Sequence, residues 1–198
     1  MEKALIIFAR NPVAGKVKTR LAATIGHEQA LAIYKLLLAH TAETTKKVDC
    51  NRYVFYADEI GSADVWNDVF FRKQLQQGND LGERMQLAFT ELFLKGYKKV
   101  LIIGTDCFDL TAGIVEQAFE ALENHEAVIG PSADGGYYLL GMKQLYPFLF
   151  IQKAWSTDLV YKATLTDFFN NNITYFTLPV LNDIDTEEDW AQYNITKQ

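Results

Sequence analysis

The sequence predicts a single α/β domain built on a mostly parallel sheet. Short apolar runs read as strands buried on both faces, helical periodicity fills the stretches between them, and polar or glycine-rich segments follow the strand ends. A length of 198 residues suits one domain with one core. No repeat of fixed period and no low-complexity linker divides the chain, so residues 1–198 are taken as one unit.

The first strand is Ala4 to Ala9, apolar throughout. A loop follows from Arg10 to Arg20, punctuated by Pro12 and Gly15. Ala30, Leu31, Ile33, Tyr34, Leu37 and Leu38 recur at helical spacing and predict a helix from about Glu28 to Lys46. Strands are expected over Arg52 to Ala57 and Phe70 to Leu75, then a helix from Glu83 to Lys95 that Gly96 stops. Val100 to Ile103 is a central strand, and Thr111 caps a helix running to about Leu122. Ala127 to Gly130 and Gly136 to Gly141 are strands with no helix between them. That departs from strict alternation, and one antiparallel strand in the sheet accommodates it. A helix from about Thr157 to Asn170, capped by Ser156 or Thr157, a strand around Ile173 to Leu178 and a short terminal helix complete the chain.

Composition narrows the function classes. Hydrophobic residues make up 49% and charged residues 22%, the balance of a soluble globular protein and far from that of a disordered one. A net charge of −6 argues against a nucleic-acid partner, which calls for a basic face, but leaves room for a phosphate ligand held by local cations. Cys50 and Cys107 form no disulfide framework, and His27, His40 and His125 are too scattered for a zinc signature. The N-terminal apolar run is too short for a signal peptide or a membrane span. The expectation is a protein of the reducing cytoplasm with no membrane partner.

In open α/β sheets, ligands sit beyond the carboxyl ends of the strands. Five segments fall there, and each offers chemistry. Arg10-Asn-Pro-Val-Ala-Gly-Lys-Val-Lys-Thr-Arg20 packs four cations and a glycine between a buried strand and a helix. Arg10, Lys16, Lys18 and Arg20 can neutralise phosphate charge, and Gly15 lets backbone N–H groups turn to an anion; the alternative is a solvated basic loop. It is not a P-loop, because Lys16 is followed by Val17 and Arg10 stands where the earlier glycine should. Gly104-Thr-Asp-Cys-Phe-Asp-Leu110 places Asp106 and Asp109 just past a central strand, where Asp106 suits a magnesium or manganese ion and Asp109 suits a helix cap at Thr111. In Asn182-Asp-Ile-Asp-Thr-Glu-Glu-Asp189, Thr186 and Asp189 have nearly the form of a capping box. Asp183 or Asp185 could supply a second metal ligand, or serve only as helix-start acids. Asp134, in Ser132-Ala-Asp-Gly-Gly136, reads as metal-side carboxylate, acceptor partner or turn residue. Gln77-Gly-Asn-Asp-Leu-Gly82 either cradles a base and ribose or caps the next helix through Asn79 or Asp80.

With these motifs in order, the chain resembles the GT-A-fold nucleotide-diphospho-sugar transferase superfamily, and more closely the bacterial DUF2064 group of proposed glycosyltransferases. The resemblance rests on Phe8 to Leu21, Gly78 to Met85, Gly104 to Cys107, Gly130 to Gly141 and Asp183 to Asp189. It implies a three-layer α/β/α fold, with the Arg10 to Arg20 loop over the phosphates and Gly78, Asp80 and Gly82 near the base or ribose. It further implies Asp106 as metal ligand with Asp185 or Asp183 as the second, and Asp134 with Gly136 on the acceptor side. Asp106, Asp134 and Lys18 would then be catalytic, with Mg2+ or Mn2+ as cofactor and a nucleotide or nucleotide-sugar plus a small-molecule acceptor as partners. Three features depart from the pattern: Asp106-Cys-Phe-Asp109 in place of Asp-x-Asp, a first loop poorer in glycine than in the related nucleotidyltransferases, and Phe108 where proline is common. Glycosyl transfer, nucleotidyl transfer with pyrophosphate release, and nucleotide binding without chemistry all follow as alternatives.

Overall fold

The computed structural model describes residues 2–195. Among these, seven strands form one sheet: β1 (Lys3–Ala9), β2 (Asn51–Tyr56), β3 (Phe71–Leu75), β4 (Lys99–Ile103), β5 (Ala127–Pro131), β6 (Tyr137–Met142) and β7 (Tyr175–Thr177). Their order is β3-β2-β1-β4-β6-β5-β7, and only β6 runs antiparallel to its neighbours. The helices are α1 (Thr19–Ile25), α2 (His27–Lys46), α3 (Leu81–Leu94), α4 (Ala112–Asn124), α5 (Val160–Asn170) and α6 (Glu187–Ile195). No helix among the described residues is long and apolar enough to cross a membrane.

Alternation along the strands divides the core in two. Leu5, Ile7, Val54, Leu101 and Ile103 face α1, α2 and α4, whereas Ala4, Ile6, Phe55, Val100 and Ile102 face α3 and α5. Helices on both faces make the predicted three-layer α/β/α fold, and they explain why β1 and β4 are apolar at successive positions. Phe89 of α3 and Phe168 of α5 are fully buried, and each such side chain stabilises by roughly 1.5–3 kcal/mol.

The chain builds outward from β1 to β3 and then returns to place β4 on the other side of β1. This reversal opens a crevice at the carboxyl ends of β1 and β4, the position where such sheets bind ligands. Because β6 runs the opposite way, it brings its starting residues to the same end.

Two local expectations need correction, and Pro147–Phe150 adds a short 3-10 turn. Residues 19–25 form a separate helix, α1, which Gly26 at φ +85° divides from α2. Helix α5 starts at Val160, because Thr157 instead closes a local turn by donating to the Ala154 carbonyl at 2.7 Å.

Candidate functional site

The first loop leaves β1 on a fixed root. The Tyr34 hydroxyl, reaching up from α2, accepts from the Arg10 N–H at 3.0 Å and donates to the Arg10 carbonyl at 3.2 Å. Asn11 is buried and ties the loop to the end of β2, donating to the Glu59 carbonyl at 2.8 Å and accepting from the Asp58 and Glu59 N–H groups. At its far end the loop enters α1 through Lys18, whose backbone is left-handed at φ 48°, ψ 46°. A non-glycine residue there costs about 1 kcal/mol or more, so something must hold it.

What holds it is a pair of carboxylates. The Lys18 ammonium lies 2.7 Å from Asp106 Oδ1 and 3.0 Å from Asp185 Oδ1, and only 4% of its side chain is exposed. Burial alone would lower its pKa; Asp106 and Asp185 outweigh that and hold it above the usual range. Arg20, 70% exposed on α1, approaches Asp185 Oδ2 at 3.6 Å.

The acids are delivered by backbone pairing. Past β4, the Asp106 carbonyl accepts from the Ile184 N–H at 2.9 Å, and Cys107 forms an antiparallel bridge with Asp183. Asp183 Oδ2 accepts from Ser132 Oγ, at the end of β5, at 2.6 Å. Burial pushes the Asp183 carboxyl up to about 7; the Ser132 hydrogen bond opposes this, while Asp106 and Asp134 reinforce it. Downstream, Thr186 and Asp189 form the reciprocal cap of α6, with Asp189 Oδ2 accepting from the Thr186 N–H at 2.8 Å and Thr186 Oγ1 from the Asp189 N–H at 3.2 Å.

These elements surround a cavity of about 960 Å³ at the switch point of the sheet. Arg10, Lys16, Lys18 and Arg20 all line it, as do the carboxylates of Asp106, Asp134, Asp183 and Asp185. Asp134 is exposed and accepts from the Gly136 N–H at 2.9 Å, so a tight turn presents it to the cavity. Asp80 lines the cavity too, but its Oδ1 caps α3 by accepting from the Glu83 N–H at 2.8 Å.

Gly15, Gly78 and Gly82 lie outside the cavity lining. Gly82 is required by packing, since a Cβ there would stand 2.5 Å from Trp155 Nε1 and 2.6 Å from the Phe150 carbonyl. Gly78, at φ +125°, makes the turn into α3. Asp109 does not cap α4: Thr111 alone accepts from the Ile114 N–H, and Asp109 instead accepts from the Tyr193 hydroxyl at 2.5 Å. Tyr34, Ser132 and Arg84 also belong to the site, though the sequence pattern does not nominate them. Tyr34 reads as one more residue of a helical stripe, and Ser132 and Arg84 sit inside motifs whose neighbours carried the interest. Arg84 lines the cavity and donates from Nε to the Gly78 carbonyl at 3.0 Å.

Asp106 Oδ1 and Asp185 Oδ1 converge on one cationic centre, the oxygen donor pair that magnesium or manganese uses when it shares its coordination with phosphates. Among the described residues, no three His, Cys, Asp or Glu side chains are grouped to hold a metal. The residues therefore fit an ion that completes its coordination from a phosphate ligand. They do not fit a free-standing protein site.

The family model described as an uncharacterized protein conserved in bacteria (DUF2064) matches residues 39–157. A protein from Desulfovibrio desulfuricans G20, described as a candidate nucleotide-diphospho-sugar transferase, is 30% identical with a TM-score of 0.91, and the match covers 99% of this chain and 87% of that one. A cytidylyltransferase from Leptospira borgpetersenii is 16% identical with a TM-score of 0.61, over 100% of this chain and 88% of that one. The manganese complex of Rv0371C from Mycobacterium tuberculosis is 11% identical with a TM-score of 0.56, over 96% of each chain. These last two likenesses are of fold alone. No curated protein matches the chain.

Proposed function

The chain belongs to the DUF2064 family of bacterial proteins, and from that membership, its fold and its cavity we propose a metal-dependent transferase that draws on a nucleotide-sugar donor. The observation that carries the proposal is the meeting of the cationic first loop with two acids from distant parts of the chain, through the Lys18 contacts to Asp106 and Asp185.

In this reading Arg10, Lys16 and Arg20 bind the donor's diphosphate, and Asp106 and Asp185 hold Mg2+ or Mn2+. When bound, the ion supplies charge neutralisation to the departing phosphate. The acceptor oxygen attacks the anomeric carbon, and the bond from that carbon to the diphosphate oxygen breaks. Its electron pair leaves with the nucleoside diphosphate, and the acceptor proton passes to Asp134. Lys18, released from the acids, adds its charge to the leaving group. The protein works chiefly by positioning. Two free cysteines, Cys50 and Cys107, suit a cytoplasmic setting.

A second reading has its own observation. Four cations in one loop match the charge of a triphosphate better than that of a diphosphodiester, and Asp109 is turned away to Tyr193 and does not join Asp106 at the cavity. The acceptor's phosphate would then attack the α-phosphorus of a nucleoside triphosphate and expel pyrophosphate. Screening nucleotide-sugars for diphosphate release, and nucleoside triphosphates with sugar phosphates for pyrophosphate release, both with Mn2+, separates the two. Asp106→Ala should abolish whichever release is seen. Nucleotide binding with no release in either screen would make the chain a binding module, and turnover that survives Asp106→Ala would sink the assignment.

A further inference from the structure

Lys18 stands apart from the other cations of its loop. Arg10, Lys16 and Arg20 are exposed, while the Lys18 side chain is withdrawn until only 4% of it meets solvent. It is held by two carboxylate contacts of 2.7 and 3.0 Å, and its backbone adopts a left-handed conformation that lysine does not favour locally. The two acids therefore hold the lysine in place against its own backbone preference. Its ammonium fills the point on which Asp106 Oδ1 and Asp185 Oδ1 converge.

We propose that Lys18 is the resident cation of the metal position and makes divalent-ion binding conditional on nucleotide. The inference rests on Asp106 and Asp185 being the ligands of the ion. An ammonium already in contact with both oxygens and a divalent ion cannot share that point, since both their volumes and their charges exclude each other. Among the described residues no third acid, histidine or cysteine is grouped with Asp106 and Asp185 to hold an ion, so a bare ion gains little by expelling the lysine. Nucleotide phosphates alter both conditions: they offer Lys18 other anionic partners, and they give the ion its missing oxygens. Nucleotide and ion then load together, and the lysine passes from the acids to the phosphates.

The test uses the full chain and Mn2+ alone, with free ion followed by electron paramagnetic resonance. Wild type should bind Mn2+ weakly. Lys18→Met and Lys18→Gln should each bind it at least tenfold more tightly, and Asp185→Asn in the Lys18→Met background should abolish the gain. Asp106 and Asp185 are 45% and 37% exposed, so water can solvate them once the lysine is gone and the fold should persist. A measurement without substitution stands beside these. In wild type labelled with 15N-lysine, the buried Lys18 ammonium signal should be unmoved by millimolar Mg2+ alone. Variants that bind Mn2+ no more tightly than wild type, or a Lys18 signal displaced by Mg2+ alone, would overturn the inference. No nucleotide enters either measurement, so such a result is distinct from a failure to bind or turn over a nucleotide.

Discussion

Replacing Asp183 by asparagine should remove a pH dependence that the site imposes on the whole fold. The Asp183 carboxyl sits at about 7 in the native protein, raised mainly by burial, and should lie near about 3.9 in the unfolded chain. Between those values the native state holds a proton that the unfolded state has lost, so stability falls as pH rises. The contribution is complete below about pH 4 and gone above about pH 7. At about 1.4 kcal/mol per pH unit over roughly three units, the loss approaches about 4 kcal/mol, and relaxation around the buried carboxylate brings the expected figure to about 2–4 kcal/mol. The substituted side chain cannot ionise, yet its amide oxygen can still accept from Ser132 Oγ. Urea denaturation of both proteins from pH 4 to pH 8, at constant ionic strength with a chelator present, reads this directly. The variant should be no more stable than wild type at pH 4 and more stable by about 2–4 kcal/mol at pH 8. Parallel stability curves for the two proteins would refute the reasoning.

Two further substitutions separate packing from ligand contact. Gly82→Ala drives a methyl group toward Trp155 Nε1 and the Phe150 carbonyl, the latter a backbone atom that yields only with its chain. Overpacking of this kind costs about 1–3 kcal/mol in urea denaturation, and a change below about 0.5 kcal/mol would show that the 150–155 segment gives way freely. Arg20→Ala removes an exposed side chain whose ion pair spans 3.6 Å, so stability should shift by less than about 1 kcal/mol. Nucleotide affinity by calorimetry should fall about tenfold, the loss of one charge-assisted contact, and an unchanged affinity would take Arg20 off the phosphates.

The parts of the fold that sequence reveals are those with a one-dimensional cause. Ala4 to Ala9 and Val100 to Ile103 are apolar at successive positions because helices cover both faces of β1 and β4, and that burial leaves a visible run. The antiparallel strand is legible because two apolar runs stand with no helix between them. Helix α1 is hidden for the opposite reason. It has seven residues, too few for a period, and its N-cap is Lys18, a residue that no capping preference would nominate. At the site, chemistry was legible by segment and not by pairing. Arg10 to Arg20, Asp106 and Asp185 are nominated by composition at strand ends, but which lysine meets which acid depends on contacts across the fold. Gly82 shows the limit clearly. A glycine in a loop motif suggests a cradle for a ligand, whereas its partner here is Trp155, far along the chain and adjacent only once α3 has packed. Asp109 is the same case, its partner Tyr193 coming from the last helix.

The aim of the acids is itself a consequence of packing, and Ile184 is the residue that sets it. In an extended segment, successive side chains point to opposite sides. With Ile184 fully buried in the core, Asp183 and Asp185 must both face away from that core, and both line the cavity. A slip of one residue would send two carboxylates into the core and the isoleucine into water, a cost of several kcal/mol that fixes the register. The Ile184 N–H then bonds to the Asp106 carbonyl at 2.9 Å, which ties the segment to the extension of β4. The spacing between Asp106 and Asp185 is therefore a property of backbone pairing and one buried side chain. Flexible carboxylates on their own would drift apart under mutual repulsion. Held this way, they stay close enough for a single ammonium to touch both.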